Sequence, residues 1–136
     1  MRKLVLLIMF LSALVIVSCD KDEVSERFRF LTGVEWESDQ LLVNSEDASG
    51  PGGMLEDFKG SAKFNEDGTG SFGQYSGTWQ FAKEETELVI TTEALAFPLT
   101  TIIVELTATD LKVSTAFPNP VNPQEPFNIE MSFKAK

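Results

Sequence analysis

From Phe28 to the C-terminus, apolar side chains recur at every second position, in short runs separated by turn residues. "SAKFN" (61–65) puts Ala62 and Phe64 on one face, and "NEDGTG" (65–70) is a turn built on Asp67-Gly68, a pair that tight hairpins favour. "TGSFGQ" (69–74) carries Phe72, and "TWQFA" (78–82), opened by Gly77, aligns Trp79 with Phe81. "ELVITT" (87–92) points Leu88 and Ile90 inward. "TTIIVELTA" (100–108) sets Ile102, Val104 and Leu106 on one face against Thr101, Glu105 and Thr107. Thr109-Asp110 turns the chain into "LKVSTAF" (111–117), and "FNIEMSFK" (127–134) aligns Phe127, Ile129, Met131 and Phe133. Successive strand residues point to opposite faces, so this pattern belongs to half-buried antiparallel strands.

With "VEWESDQLLV" (34–43) as the first, the strands number about eight, and such spacing predicts an all-β sandwich or barrel. The best helical candidate is the short lead-in "SERFRFL" (25–31). Two connections are longer. Residues 44–57 centre on Gly50-Pro51-Gly52-Gly53, which regular elements do not tolerate, and 118–126 holds four of the six prolines, a stiff extended path. Phe97-Pro98, Phe117-Pro118 and Met54-Leu55 are candidates for an apolar patch on the loops.

At 136 residues the chain suits one domain. Its 11 Lys+Arg against 21 Asp+Glu give a net −10, and without residues 1–18 there are 9 bases against 21 acids, a net −12. Phosphate backbones need clustered bases, so nucleic acid is excluded as a partner. The chain has no histidine and one cysteine, which removes Ser-His-Asp and Cys-His catalysis and histidine-ligated metal sites. A carboxylate enzyme would need facing acids. The acids here fall in loop pairs (Glu46-Asp47, Glu56-Asp57, Glu66-Asp67, Glu84-Glu85) or on outward positions such as Glu105 and Glu130, so no catalytic residue, metal or cofactor is expected. "FNEDGTG" has Asn65, Asp67 and Gly68 at calcium-loop spacing but lacks the bidentate glutamate, and reads as a plain turn.

The N-terminus carries an address. Arg2 and Lys3 precede "LVLLIMFLSALVIV" (4–17), 14 positions with only Ser12 polar. That is short of the roughly 20 residues of a membrane-spanning helix and fits the apolar core of a secretory signal. The following Ile16-Val17-Ser18-Cys19 resembles the lipobox of bacterial lipoproteins. The resemblance implies removal of residues 1–18 between Ser18 and Cys19, then lipidation of Cys19; two or more acyl chains anchor stably where one does not. Residues 19–29 are expected to form a lipidated, disordered tether, in which Lys21-Asp22-Glu23 resembles the lysine-plus-acid export signals of surface-displayed lipoproteins in some Gram-negative lineages.

The body resembles the small lipocalin-like domains of secreted bacterial lipoproteins, through "LTGVEW" (31–36), "KFNEDGTGSFG" (63–73), "GTWQF" (77–81), "ELVIT" (87–91) and "VELTATDLKV" (104–113). Gly33 and Trp36 are similar to the Gly-x-Trp of lipocalins, whose tryptophan closes the barrel floor, although two residues separate them here. The resemblance implies an up-and-down antiparallel β-barrel of about eight strands over residues 30–136. An eight-stranded barrel either fills with side chains or holds one small ligand. Besides Trp36, the inward-pointing candidates for lining a ligand cavity are Phe64, Phe72, Trp79, Phe81, Phe127, Met131 and Phe133. Two functions follow as expectations. One is a non-catalytic lipoprotein, monomeric and anchored to the outer membrane through Cys19, facing the periplasm or the cell surface, whose barrel binds a small hydrophobic or amphipathic ligand. The other is a filled barrel that contacts a protein or glycan at the cell surface.

Substituting Cys19→Ala is expected to abolish incorporation of a labelled fatty acid and to leave the protein uncleaved or released; unchanged membrane partitioning would refute the lipobox reading. Replacing Lys21, Asp22 and Glu23 with alanine should lower protease accessibility on intact cells if that stretch is an export label.

Overall fold

The computed structural model describes residues 24–136. A short helix α1 (Glu26–Thr32) leads in. Its N-cap is Ser25, whose hydroxyl accepts a hydrogen bond from Phe28 N at 3.0 Å, and the Gly33 amide closes the last turn on Arg29 O. The helix lies where the pattern of 25–31 predicts one, and Glu26 to Arg29, within the expected tether of 19–29, belong to it. Nine strands follow: β1 (Glu35–Val43), β2 (Glu46–Asp47), β3 (Ser61–Phe64), β4 (Thr69–Phe72), β5 (Tyr75–Ala82), β6 (Glu87–Thr92), β7 (Leu99–Leu106), β8 (Asp110–Phe117) and β9 (Phe127–Ala135). A turn of 3₁₀ helix (Glu56–Phe58) lies between β2 and β3.

Every pairing is antiparallel, and β1, β3, β4, β5, β6, β7, β8 and β9 follow one another around the sheet. β9 then returns to β1, with Trp36 opposite Ala135 at one end and Val43 opposite Ile129 at the other. The result is a closed, up-and-down, eight-stranded barrel, with β2 as a two-residue arm folded back on the end of β1. Closure leaves no long edge to recruit another strand.

The alternating directions define two ends. At one end sit α1, the turns 65–68, 83–86 and 107–109, and the C-terminus. At the other sit the segment 44–60, the Gly73-Gln74 turn and the loops 93–98 and 118–126. Trp36 is fully buried and donates from Nε1 to Leu31 O of α1 at 3.0 Å. Phe28 packs on Trp79, with ring centroids 5.7 Å apart. Ser25 Oγ donates to Glu85 Oε2 and Arg27 Nε to Glu85 O, tying α1 to the β5–β6 turn. Lys83, Glu84 and Glu85 in that turn all have positive φ, between 47° and 67°.

Strand β7 differs from the face assignment that its alternation suggests. Leu99 and Thr101 are buried, with Thr101 fully so, while Ile102 and Val104 are 55% and 57% exposed. The cause is polar satisfaction: Thr101 Oγ1 donates to Leu88 O at 2.9 Å, which makes a hydroxyl acceptable inside. A register shift between Ile103 and Glu105 then restores Leu106 to the core. Period two identifies a strand but not which face is inward when both faces carry β-branched residues.

The glycines of β4 and β5 mark close approach. Gly70 and Gly77 are cross-strand partners, and the Phe72 ring lies where a side chain on Gly70 would sit. A Cβ on Gly77 would fall 1.9 Å from Thr91 O. Gly77→Ala is therefore expected to unfold at distinctly lower denaturant, a loss of more than about 2 kcal/mol, as strained core substitutions give. Gly50→Ala, which meets nothing within 4 Å, should be neutral or slightly stabilising. Equal midpoints for the two variants would show that the strands are not in the close contact described.

Candidate functional site

The seven interior candidates separate into three groups. Phe64, Phe72, Met131 and Phe133 are buried around one void of about 20 Å³. Phe64 and Phe72 meet at 5.3 Å between ring centroids. Trp79 and Phe81 sit toward α1, edge-on to each other at 5.4 Å, and Trp79 Nε1 donates to Asn65 O. Phe127 is half-buried at the opposite end, paired with Phe117 across β8–β9. The expected signal and tether residues Ser18, Cys19, Lys21, Asp22 and Glu23 lie outside the described residues.

A second void of about 70 Å³ lies nearer the rim and shares Phe58, Leu99 and Met131 with the first. Small-molecule pockets run to about 300–1,000 Å³. With these side chains in place neither void admits a lipid-sized molecule, and the barrel interior is filled. Both voids are walled almost wholly by carbon, and a water placed there would lack hydrogen-bond partners.

Much of the filling at the rim comes from the segment between β2 and β3, whose packing the glycine-rich sequence conceals. Leu55 is only 4% exposed, which removes it from the surface patch expected for Met54-Leu55, and Phe58 is half-buried beside it. The segment is fastened from several sides. Leu55 N donates to Ala48 O and Gln74 N to Asp57 O. Tyr75 Oη donates to Asp57 Oδ2 at 2.9 Å, and Phe58 packs edge-on against Tyr75. The Tyr75 hydroxyl is consequently harder to deprotonate than usual. The sequence signal for this cap was the spacing Met54, Leu55 and Phe58, apolar residues set in a polar loop.

Outside the cap, the rim keeps apolar surface. Phe97 is 47% exposed and stacks on the half-buried Phe117, with centroids 5.8 Å apart and planes 21° from parallel. Met54 is 44% exposed, and Val121 in the proline-rich loop is 91% exposed. Pro98 and Pro118 are exposed beside the two rings.

The carboxylates occupy turns and seams. Hydrogen bonds from Ser49 hold Asp47 below the ordinary carboxylate range, and those from Thr69 do the same for Asp67. Asp67 Oδ1 accepts from both the amide and the hydroxyl of Thr69, so its side chain is committed to the β3–β4 turn. Lys136 bonds Glu35 at 3.2 Å and Glu37 at 3.4 Å across the β9–β1 seam, and Lys134 pairs with Asp110 across β8–β9. The Lys136 hydrogen bond lowers Glu35, and those from Lys134 and Thr109 lower Asp110. These pairs are solvent-exposed and add little to stability. Among the described residues, no group of three His, Cys, Asp or Glu is placed to hold a metal ion. No protein-family model matches the chain, and no curated protein matches it significantly in sequence.

Proposed function

We propose that the protein is a non-catalytic lipoprotein, anchored to the outer membrane through Cys19, whose filled barrel presents its apolar rim to a protein or glycan partner. The observation that carries this reading is the aromatic and methionine surface at the rim; the apolar residues exposed on the barrel wall, Ile102 and Val104, are aliphatic. The interior is packed, while the Phe97–Phe117 stack, Met54 and Val121 expose carbon at one end. Aromatic residues and methionine are the types enriched at recognition surfaces.

The position of the rim supports the same reading. Six residues, Asp20 to Ser25, separate Cys19 from α1, and even fully extended they span only roughly 20 Å. An anchor at Cys19 therefore keeps the α1 end near the bilayer and turns the rim away from it.

A photo-crosslinking residue at position 97, in cells that express the protein, is expected to yield a discrete adduct. The same residue at Thr91, exposed on the barrel wall, should not. In the double variant Phe97→Ser, Phe117→Ser, a crosslinker at position 121 should lose its adduct while thermal unfolding changes little. Absence of any adduct at positions 54, 97 and 121, with normal localisation, would overturn the proposal.

A small apolar ligand is the second reading, favoured by the contiguity of the two voids beneath Leu55 and Phe58. It requires those two side chains to move aside. Native mass spectrometry of the purified protein would then show a retained ligand, and Leu55→Ala would enlarge its uptake. A mass equal to the bare chain in both proteins would reject this reading.

A further inference from the structure

The α1 end of the barrel carries a groove that neither function above uses. It holds about 290 Å³ between α1, the β3–β4 turn and strand β5. Phe28, Trp79 and Phe81 form its floor, and Glu66, Asp67 and Gln80 its rim. The floor is not flat: the Phe28 ring is inclined 40° to Trp79 and the Phe81 ring 86°, so three aromatic walls meet in a corner. Trp79 cannot turn away, because Nε1 is bonded to Asn65 O and Phe64 packs edge-on against it at 5.8 Å.

The charge on the rim has one sign. Two carboxylates line the groove, and among the described residues no lysine or arginine does. Hydrogen bonding from Thr69 lowers the Asp67 carboxyl below its ordinary range. An anion would be repelled here. A cation would meet the negative faces of the rings together with the carboxylates, and a methylated ammonium sheds water more readily than a bare one.

The geometry points to this corner as a binding site for an alkylated ammonium group. The group has two chemical sources: a free quaternary amine, or the choline headgroup of a membrane lipid. The headgroup source rests on the anchored reading above, since a tether at Cys19 sets this end of the barrel beside the bilayer. The site itself does not depend on that reading.

The test titrates the purified full-length protein with choline chloride against sodium chloride at equal ionic strength, following tryptophan emission. Trp79 lines the groove and Trp36 does not, so Trp79, itself only 7% exposed, carries the response. The change should saturate with a midpoint near about 1 mM, the range that a few cation–π contacts support. The neutral carbon isostere of choline, with a tert-butyl group in place of the trimethylammonium, should give no saturable change. Glu66→Gln should weaken binding about two- to fivefold, as loss of an exposed charge does, and Phe81→Leu about tenfold. Thermal unfolding of both variants checks that they fold. Phosphatidylcholine vesicles that reproduce the choline response, where phosphatidylglycerol vesicles do not, identify the headgroup as the source; a response to soluble choline alone identifies a free amine. A flat titration, an equal response to the isostere, or unchanged affinity in both variants overturns the site. The soluble titration of Cys19→Ala reads the groove even if the anchor reading fails.

Discussion

The volume inside an eight-stranded barrel is the constraint on which the rest of this structure depends. Strand number sets the radius, and the radius leaves room for side chains or for one small guest. Here Trp36, Phe64, Phe72, Phe133 and Met131 enter from the walls, α1 closes one end with Leu31, and Leu55 and Phe58 descend from the other. Among the described residues, the voids these side chains leave are small, about 20 and 70 Å³. Filling the interior moves the available recognition surface to the outside: the apolar rim at one end, and the aromatic groove beside α1 at the other.

Much of this was legible in the sequence, for identifiable reasons. Alternation located the strands because each has one face on a core, and Asp67-Gly68 marked its turn, with Gly68 at φ 90°. The interior candidates Phe64, Phe72, Met131 and Phe133 did converge, because all four lie in strands whose opposite face is plainly polar. β7 misled because threonine, isoleucine and valine suit either face, and only the hydrogen bond from Thr101 to Leu88 decides between them. β2 was hidden for a different reason. Asn44-Ser45 forms its tight turn with φ of 51° and 68°, a conformation usually signalled by a glycine that is absent here.

The rim and the groove were legible only in part. Phe97 and Met54 stand exposed, as their place in loops suggests, but Leu55, next in sequence to Met54, is a core residue. Neighbouring loop residues point in different directions, and nothing in a loop's composition says which one meets the barrel. The groove could not be read at all. It joins Phe28 of α1 to Glu66 and Asp67 of one turn and to Phe81 of β5, segments that meet only when the barrel is closed.

Closure itself has a consequence in time. β9 supplies the seam with β1, and in that seam Ala135 pairs with Trp36, residues that lie far apart in the sequence. Contacts between such distant segments form late and slowly, because a long loop must close before they can be made. A chain of this sequence therefore cannot close its barrel until β9 has been made, however early the hairpins between neighbouring strands form.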